Sequence, residues 1–162
     1  MQKITISVIG GHKITKENER LAFEVGEMVA RLGAVLVCGG LDGSMRSSAR
    51  GAKSAGGLTI GLLPGTSKAD ANEYIDIALP TSIGYARNAS VACSADIIVA
   101  LPGSHGTLCE ICYGLVYKRP IIDLGNWKRE GMIAVKDIKD AEKKIMQLIK
   151  KMEPQMNTDE RR

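Results

Sequence analysis

The sequence predicts a three-layer α/β domain, Rossmann-like, with a mostly parallel sheet at its centre. Short apolar runs alternate with helical patterns along the chain, the order expected of successive βα units. The runs are continuous rather than alternating in polarity, as strands covered on both faces require. Glycine-rich loops follow several runs, and open sheets of this kind bind ligands just beyond the carboxyl ends of their strands.

Residues 4–9 form the first apolar run, ended by Gly10 and Gly11. Thr15 reads as a helix cap, with Glu17 and Glu19 in the first turn where carboxylates complement the dipole. Leu21, Ala22, Val25, Met28, Val29 and Leu32 then recur at helical spacing, and Gly33 suits a left-handed residue after the helix. Residues 34–38 are a second strand, 39–44 a glycine-rich turn and 45–56 a helix of small residues. Residues 58–64 are a third strand stopped by Pro64; after a polar loop, 75–80 form a short fourth strand. A helix over 84–95 leads to the clearest strand, 96–102. The helix over 105–118 carries an apolar stripe at Leu108, Ile111, Cys112, Leu115 and Val116. Strands at 120–125 and 132–135 follow, the latter at an edge. The last helix runs from its cap Asp137 to Met152, with Pro154 as a stop. Its stripe of Ile138, Ala141, Ile145, Leu148 and Met152 either covers the sheet or makes a dimer seam. One domain is expected over residues 1–152, with a flexible polar tail over 153–162.

The bulk composition excludes several classes. A chain of 162 residues with 44% hydrophobic content builds one full-sized core. Aromatic residues are only 4%, with one Trp and one Phe, so platforms for stacking single-stranded bases are scarce. The net charge of +4 is modest, which argues against nucleic acid as a partner. No apolar stretch reaches the ~20 residues that cross a membrane. The first residues enter a strand with no signal-peptide pattern, and the four cysteines do not form a secreted disulfide framework. The expected location is cytoplasmic.

Three loops at strand ends carry the chemistry: residues 10–15 (GGHKIT), 39–44 (GGLDGS) and 102–107 (PGSHGT). The third opens directly into a helix. Its backbone N–H groups, the Ser104 and Thr107 hydroxyls and the helix dipole suit a phosphate. Gly103, Ser104, His105, Gly106 and Thr107 are the candidate phosphate contacts. Gly10, Gly11, Gly39, Gly40, Asp42 and Gly43 are candidate ligand contacts from the other loops, with the purely steric use of glycine in turns as the alternative. Neither a Walker motif nor the dinucleotide glycine pattern is present. Thr107 and Glu110, three residues apart, share a helix face offset from the apolar stripe. Arg87 starts the preceding helix, so a cation and a carboxylate converge beside the phosphate cradle; the alternative is a surface pair. No metal set emerges: Cys109 and Cys112 lack a second pair and are expected to pack, and His12, His105 and Lys13 are loop residues that contact either ligand or solvent.

The stretch YARNASVACSADIIVALPGSHGTLCEI resembles the core of the LOG-like proteins, formerly taken for lysine decarboxylases. Pro102, Gly103, Gly106, Thr107 and Glu110 match the family pattern P-G-G-x-G-T-x-x-E, Arg87 matches the family arginine, and GGLDGSM resembles the second glycine loop. Three departures stand out: Ser104 replaces the second glycine, Asn88 replaces a lysine, and Gly84-Tyr85 replaces a Met-His pair that shapes the base pocket. Asn88 is kept as a candidate ligand contact. The resemblance implies hydrolysis of the N-glycosidic bond of a nucleoside 5′-monophosphate to base and ribose 5-phosphate. Glu110 would then stabilise an oxocarbenium-like state or orient water, and Arg87 would hold substrate and position Glu110. No cofactor is implied. The same superfamily includes molybdenum-cofactor carriers, so the alternative is a non-catalytic carrier or sensor of a nucleotide or molybdopterin-type ligand. The resemblance also implies a homodimer with its site near the interface.

Overall fold

The computed structural model describes the backbone of residues 2–159 and the side chains of residues 2–152. Seven strands form one sheet: β1 (Thr5–Ile9), β2 (Val35–Cys38), β3 (Thr59–Leu63), β4 (Ile77–Pro80), β5 (Ile97–Ala100), β6 (Ile121–Asp123) and β7 (Ile133–Ala134). Their spatial order is β4-β3-β2-β1-β5-β6-β7, and every neighbouring pair is parallel. The chain winds outward from β1 to the β4 edge, then returns to place β5 against the other side of β1. The switch point therefore lies between β1 and β5, where a crevice opens at the carboxyl edge.

Five helices cover the sheet: α1 (Lys16–Arg31), α2 (Ser44–Ser54), α3 (Arg87–Cys93), α4 (His105–Val116) and α5 (Ile138–Asp159). On one face Val25 and Met28 of α1, Ala52 of α2, and Ala141 and Ile145 of α5 pack on Ile6, Val8 and Leu36. On the other, Val91 and Ala92 of α3 and Ile111 of α4 pack on Ile9, Ile98 and Ile121. Local signals set the ends. Thr15 Oγ1 accepts from the Asn18 N–H at 3.2 Å, and Asp137 Oδ1 accepts from the Asp140 N–H at 2.9 Å. The α5 stripe is spent on the core: Ala141 and Ile145 are fully buried, with Ile138, Leu148 and Met152 packed beside them.

Three expectations need correction. The helix expected over 84–95 is a 3-10 turn at Gly84–Ala86 followed by the short α3, because Gly84 takes a left-handed φ of 59° that no α-helix accommodates. On α4 the inward face is Thr107, Glu110, Ile111 and Gly114, while Cys109, Cys112 and Val116 are exposed. Glu110 thus lies on the core-facing stripe, not beside it, because Gly114 has no side chain and draws that face onto Ile98 and Ile121. Finally, α5 continues through Pro154 to Asp159. Proline keeps a helical φ and forfeits one backbone bond, which weakens a helix without obliging it to end.

The first two helices cross unusually closely. A Cβ on Gly51 would sit 2.0 Å from the Phe23 carbonyl oxygen, and one on Gly26 would sit 1.9 Å from that of Ser48. Alanine normally favours a helix over glycine by about 1 kcal/mol. Here backbone atoms block it, so Gly51→Ala is expected to destabilise the protein by about 2 kcal/mol and lower Tm by roughly 4–8 °C. Thermal denaturation followed by circular dichroism measures this; an unchanged or raised Tm would contradict the close crossing.

Candidate functional site

The three glycine loops meet at the switch point. Gly11, after β1, joins the other two: its carbonyl accepts from the Ser44 N–H at 2.9 Å, and its N–H donates to the Pro102 carbonyl at 3.0 Å. Gly43 has a φ of 68°, and a Cβ there would lie 2.1 Å from the His12 carbonyl oxygen. A Cβ on Gly39 would lie 2.6 Å from Arg87 Nη2, and one on Gly103 only 2.1 Å from Thr107 Oγ1. These glycines are spent first on bringing loops and side chains together. Gly39 and Gly40 are buried, Gly10 is half-buried, and Asp42 is exposed, its Oδ1 accepting from the Gly43 N–H at 2.8 Å.

Helix α4 begins with Ser104 as its cap residue and no side-chain cap. The first backbone bond of the helix runs from the Leu108 N–H to the Ser104 carbonyl at 3.0 Å. The N–H groups of His105, Gly106 and Thr107 therefore have no backbone acceptor among the described residues. Beside this start, Gly11, His12, Lys13, Ile14, Asn18, Pro102, Gly103 and Ser104 line a cavity of about 470 Å³. His12 also borders a second cavity of about 380 Å³, lined by Leu41, Asp42, Arg46, Asp70 and Asn72. His12 and Asp42 of that lining belong to the glycine loops singled out from the sequence, whereas Arg46, Asp70 and Asn72 do not. Asn72 donates to the carbonyls of Gly40 (3.1 Å) and Leu41 (2.7 Å), and Arg46 pairs with Glu73 while lying 5.2 Å from the Tyr74 ring centroid. The signal for Asp70 and Asn72 was the long polar connection after Pro64, which ends at the ligand edge of the sheet. His12 and Lys13 are exposed along the first cavity, and His105 is exposed in the first turn of α4.

Arg87 and Glu110 do converge, beneath the surface. Both are 7% exposed, and Arg87 Nη1 lies 3.8 Å from Glu110 Oε1, too long for a hydrogen bond. Arg87 Nη1 donates to Asn88 Oδ1, and Nη2 reaches the Gly39 carbonyl at 3.5 Å. The buried Nε has no partner among the described residues. Asn88 Nδ2 lies 3.5 Å from the Gly106 carbonyl, so Asn88 joins the arginine to the first turn of α4. Neither Arg87 nor Glu110 lines the two cavities. Burial pushes the Glu110 carboxyl up to about 8, with the Arg87 charge only partly opposing it. Burial also lowers the Arg87 value, against the pull of Glu110. Burial thus favours the protonated form of Glu110 beside the Arg87 cation, beneath the start of α4. Cys38 is close by, but burial raises its thiol to about 11, so it is no nucleophile at neutral pH.

Because the folded value of Glu110 exceeds its ordinary 4.5, the native state holds a proton that the unfolded chain releases. The stability this proton contributes is complete below pH 4.5 and is lost as pH rises through about 8. In Glu110→Gln that loss is absent. The variant is expected to gain stability relative to the parent across this window, by an amount on the order of a few kcal/mol at its upper end. Paired urea titrations at pH 5 and pH 9 measure it; parallel pH dependence in the two proteins would contradict the burial of a protonated acid.

Among the described residues, no helix is long and apolar enough to cross a membrane, and no group of three His, Cys, Asp or Glu is placed to hold a metal. Comparison with known proteins places this architecture. The chain is similar to the molybdenum cofactor binding protein of Rippkaea orientalis, with 32% identity and a TM-score of 0.84 over 92% of this chain and 99% of that one. It is similar also to the molybdenum cofactor carrier protein MCP of Chlamydomonas reinhardtii, with 30% identity and a TM-score of 0.80 over 91% and 99% of the two chains. A probable cytokinin riboside 5′-monophosphate phosphoribohydrolase of Oryza sativa subsp. japonica, LOGL9, is 36% identical over 93 residues, which are 56% of this chain and 41% of that protein. The family model of the SLOG cluster4 family matches residues 3–157. With its glycine loops and parallel sheet, the chain belongs to the SLOG cluster4 family of LOG-like proteins.

Proposed function

We propose that the protein binds a phosphorylated small ligand at the start of α4 and acts as a carrier or sensor of it, the ligand being a nucleotide or a molybdopterin-type cofactor. The observation that carries this reading is the uncapped turn His105–Gly106–Thr107 beside the buried Arg87–Glu110 pair. Three aligned N–H groups and the helix dipole attract a phosphate, and Arg87 adds charge from beneath. A neutral Glu110 avoids setting a second negative charge against the anion. The similarity to molybdenum-cofactor proteins over nearly their whole length supports the carrier side of this reading.

Hydrolysis of a nucleoside 5′-monophosphate is the second reading, favoured by the Arg87–Glu110 juxtaposition itself. In it the phosphate grip orients the N-glycosidic bond, and ionised Glu110 stabilises positive charge developing on the ribose. Water adds at the anomeric carbon as the bond to the base breaks, and the base leaves with a proton.

The two readings predict opposite pH responses. For a carrier, affinity for phosphate ligands falls as Glu110 ionises above about pH 8, and Glu110→Gln abolishes that fall. For a hydrolase, turnover rises through the same pH, and Glu110→Gln eliminates turnover while sparing binding. A panel of nucleoside 5′-monophosphates, assayed by chromatography for free base and by calorimetry for binding at pH 7 and pH 9, separates them. Saturable binding without base release is the expected result; base release lost in Glu110→Gln would overturn the carrier reading.

We also propose a homodimer through the outer face of α4. Cys109, Cys112, Tyr113, Val116 and Tyr117 recur at helical spacing, and Val116 and Tyr117 are 73% and 62% exposed. A helix that is apolar on both faces is normally covered on both. Val116→Asp is expected to convert dimer to monomer in sedimentation analysis; a parent protein already monomeric at high concentration would refute the interface.

A further inference from the structure

We propose that Trp127 is a positioning residue for the phosphate cradle, fixing through one carbonyl where the loop before α4 presents its N–H groups. The inference rests on the cradle reading above. Trp127, the single tryptophan of the chain, lies in the connection from β6 to β7. Its indole Nε1–H donates to the Leu101 carbonyl at 3.0 Å. Leu101 is the last residue before Pro102–Gly103–Ser104, and the next carbonyl, that of Pro102, accepts from the Gly11 N–H at 3.0 Å. Two successive carbonyls of the cradle loop are thus held by different elements, one by the loop after β1 and one by the loop after β6. The Leu101 N–H donates in turn to the Ile9 carbonyl at 2.8 Å, and Pro102 has no N–H to add.

The turn that carries Trp127 is itself built for the purpose. Asp123, at the end of β6, is 6% exposed. Its Oδ1 accepts from the N–H groups of Gly125 and Trp127, each at 3.1 Å, and its Oδ2 from that of Lys128 at 2.9 Å. Asn126 and Lys128 take left-handed φ values of 60° and 51°, which non-glycine residues adopt at a cost. One buried carboxylate therefore holds a strained turn whose outward product is an indole N–H aimed at the cradle loop. The ring also packs against the core cluster that contains Ile98, Ile111 and Ile121, so binding, and not stability alone, is what separates a positioning role from packing.

The test is a titration with inorganic phosphate, followed by ¹H–¹⁵N NMR of the full chain. The amides of Gly103 and Gly106 report the cradle, and the single indole cross-peak reports Trp127. In the parent protein, indole and cradle signals are expected to move together with one Kd. Trp127→Phe, which keeps a ring but removes the donor, is expected to weaken phosphate binding about fivefold to tenfold, the loss of one hydrogen bond. A merely structural tryptophan would lower Tm and leave Kd unchanged. Cradle amides that move while the indole stays still, or a Trp127→Phe protein with parental Kd, would overturn the positioning role. Cradle amides that do not respond to phosphate at all would overturn the cradle reading and this proposal with it. The indole measurement uses the parent protein and stands even if the variant does not fold.

Discussion

The rest of the site depends on the burial of a guanidinium and a carboxyl group 3.8 Å apart at the switch point of the sheet. Such a pair is costly. Each group loses water, and at this separation the Coulombic return is incomplete unless further hydrogen bonds complete the shell. The protein supplies part of that shell with Asn88 and the Gly39 carbonyl, and leaves Arg87 Nε unpartnered among the described residues. Burial also shifts Glu110 toward its protonated form. What remains is the Arg87 guanidinium, buried near a helix start that has no side-chain cap of its own. The loops, glycines and short α3 follow from the need to bring that charge and that helix start within reach of each other.

Glycine has two uses here, and they converge. Gly39 lets the guanidinium lie on the end of β2, Gly103 lets the cradle loop fold onto Thr107, and Gly43 lets the start of α2 touch the loop after β1. Each is steric in origin. Together they place three strand ends in one crevice, which is the condition for any ligand to bridge them. A sequence rich in glycine at strand ends thus describes packing and binding at once, and the two cannot be separated by composition.

Much of this was legible in the sequence. The continuous apolar runs and the intervening helical spacing gave the layers, and the convergence of Arg87, Thr107 and Glu110 followed from strand ends and helix starts. The inward face of α4 was not legible. That helix is apolar nearly all round, so periodicity cannot choose between Ile111 and Val116; the choice is made by Gly114, through a close approach to Ile98 and Ile121 from distant strands. The 3-10 entry to α3 was hidden for a related reason, since Gly84 signals a turn only once its φ is known. Trp127 and Asn72 reach the site from connections 26 and 32 residues away in sequence from the loops they hold, beyond any local pattern.

The most direct measurement of the account is a ¹³C NMR titration of the Glu110 side-chain carboxyl in the parent protein, assigned by comparison with Glu110→Gln. Burial beside Arg87 predicts a midpoint near 8, well above the ordinary 4.5. A midpoint at or below 4.5 would mean an ionised, solvated or fully paired carboxylate, and would contradict a protonated Glu110 beside the Arg87 cation beneath the start of α4.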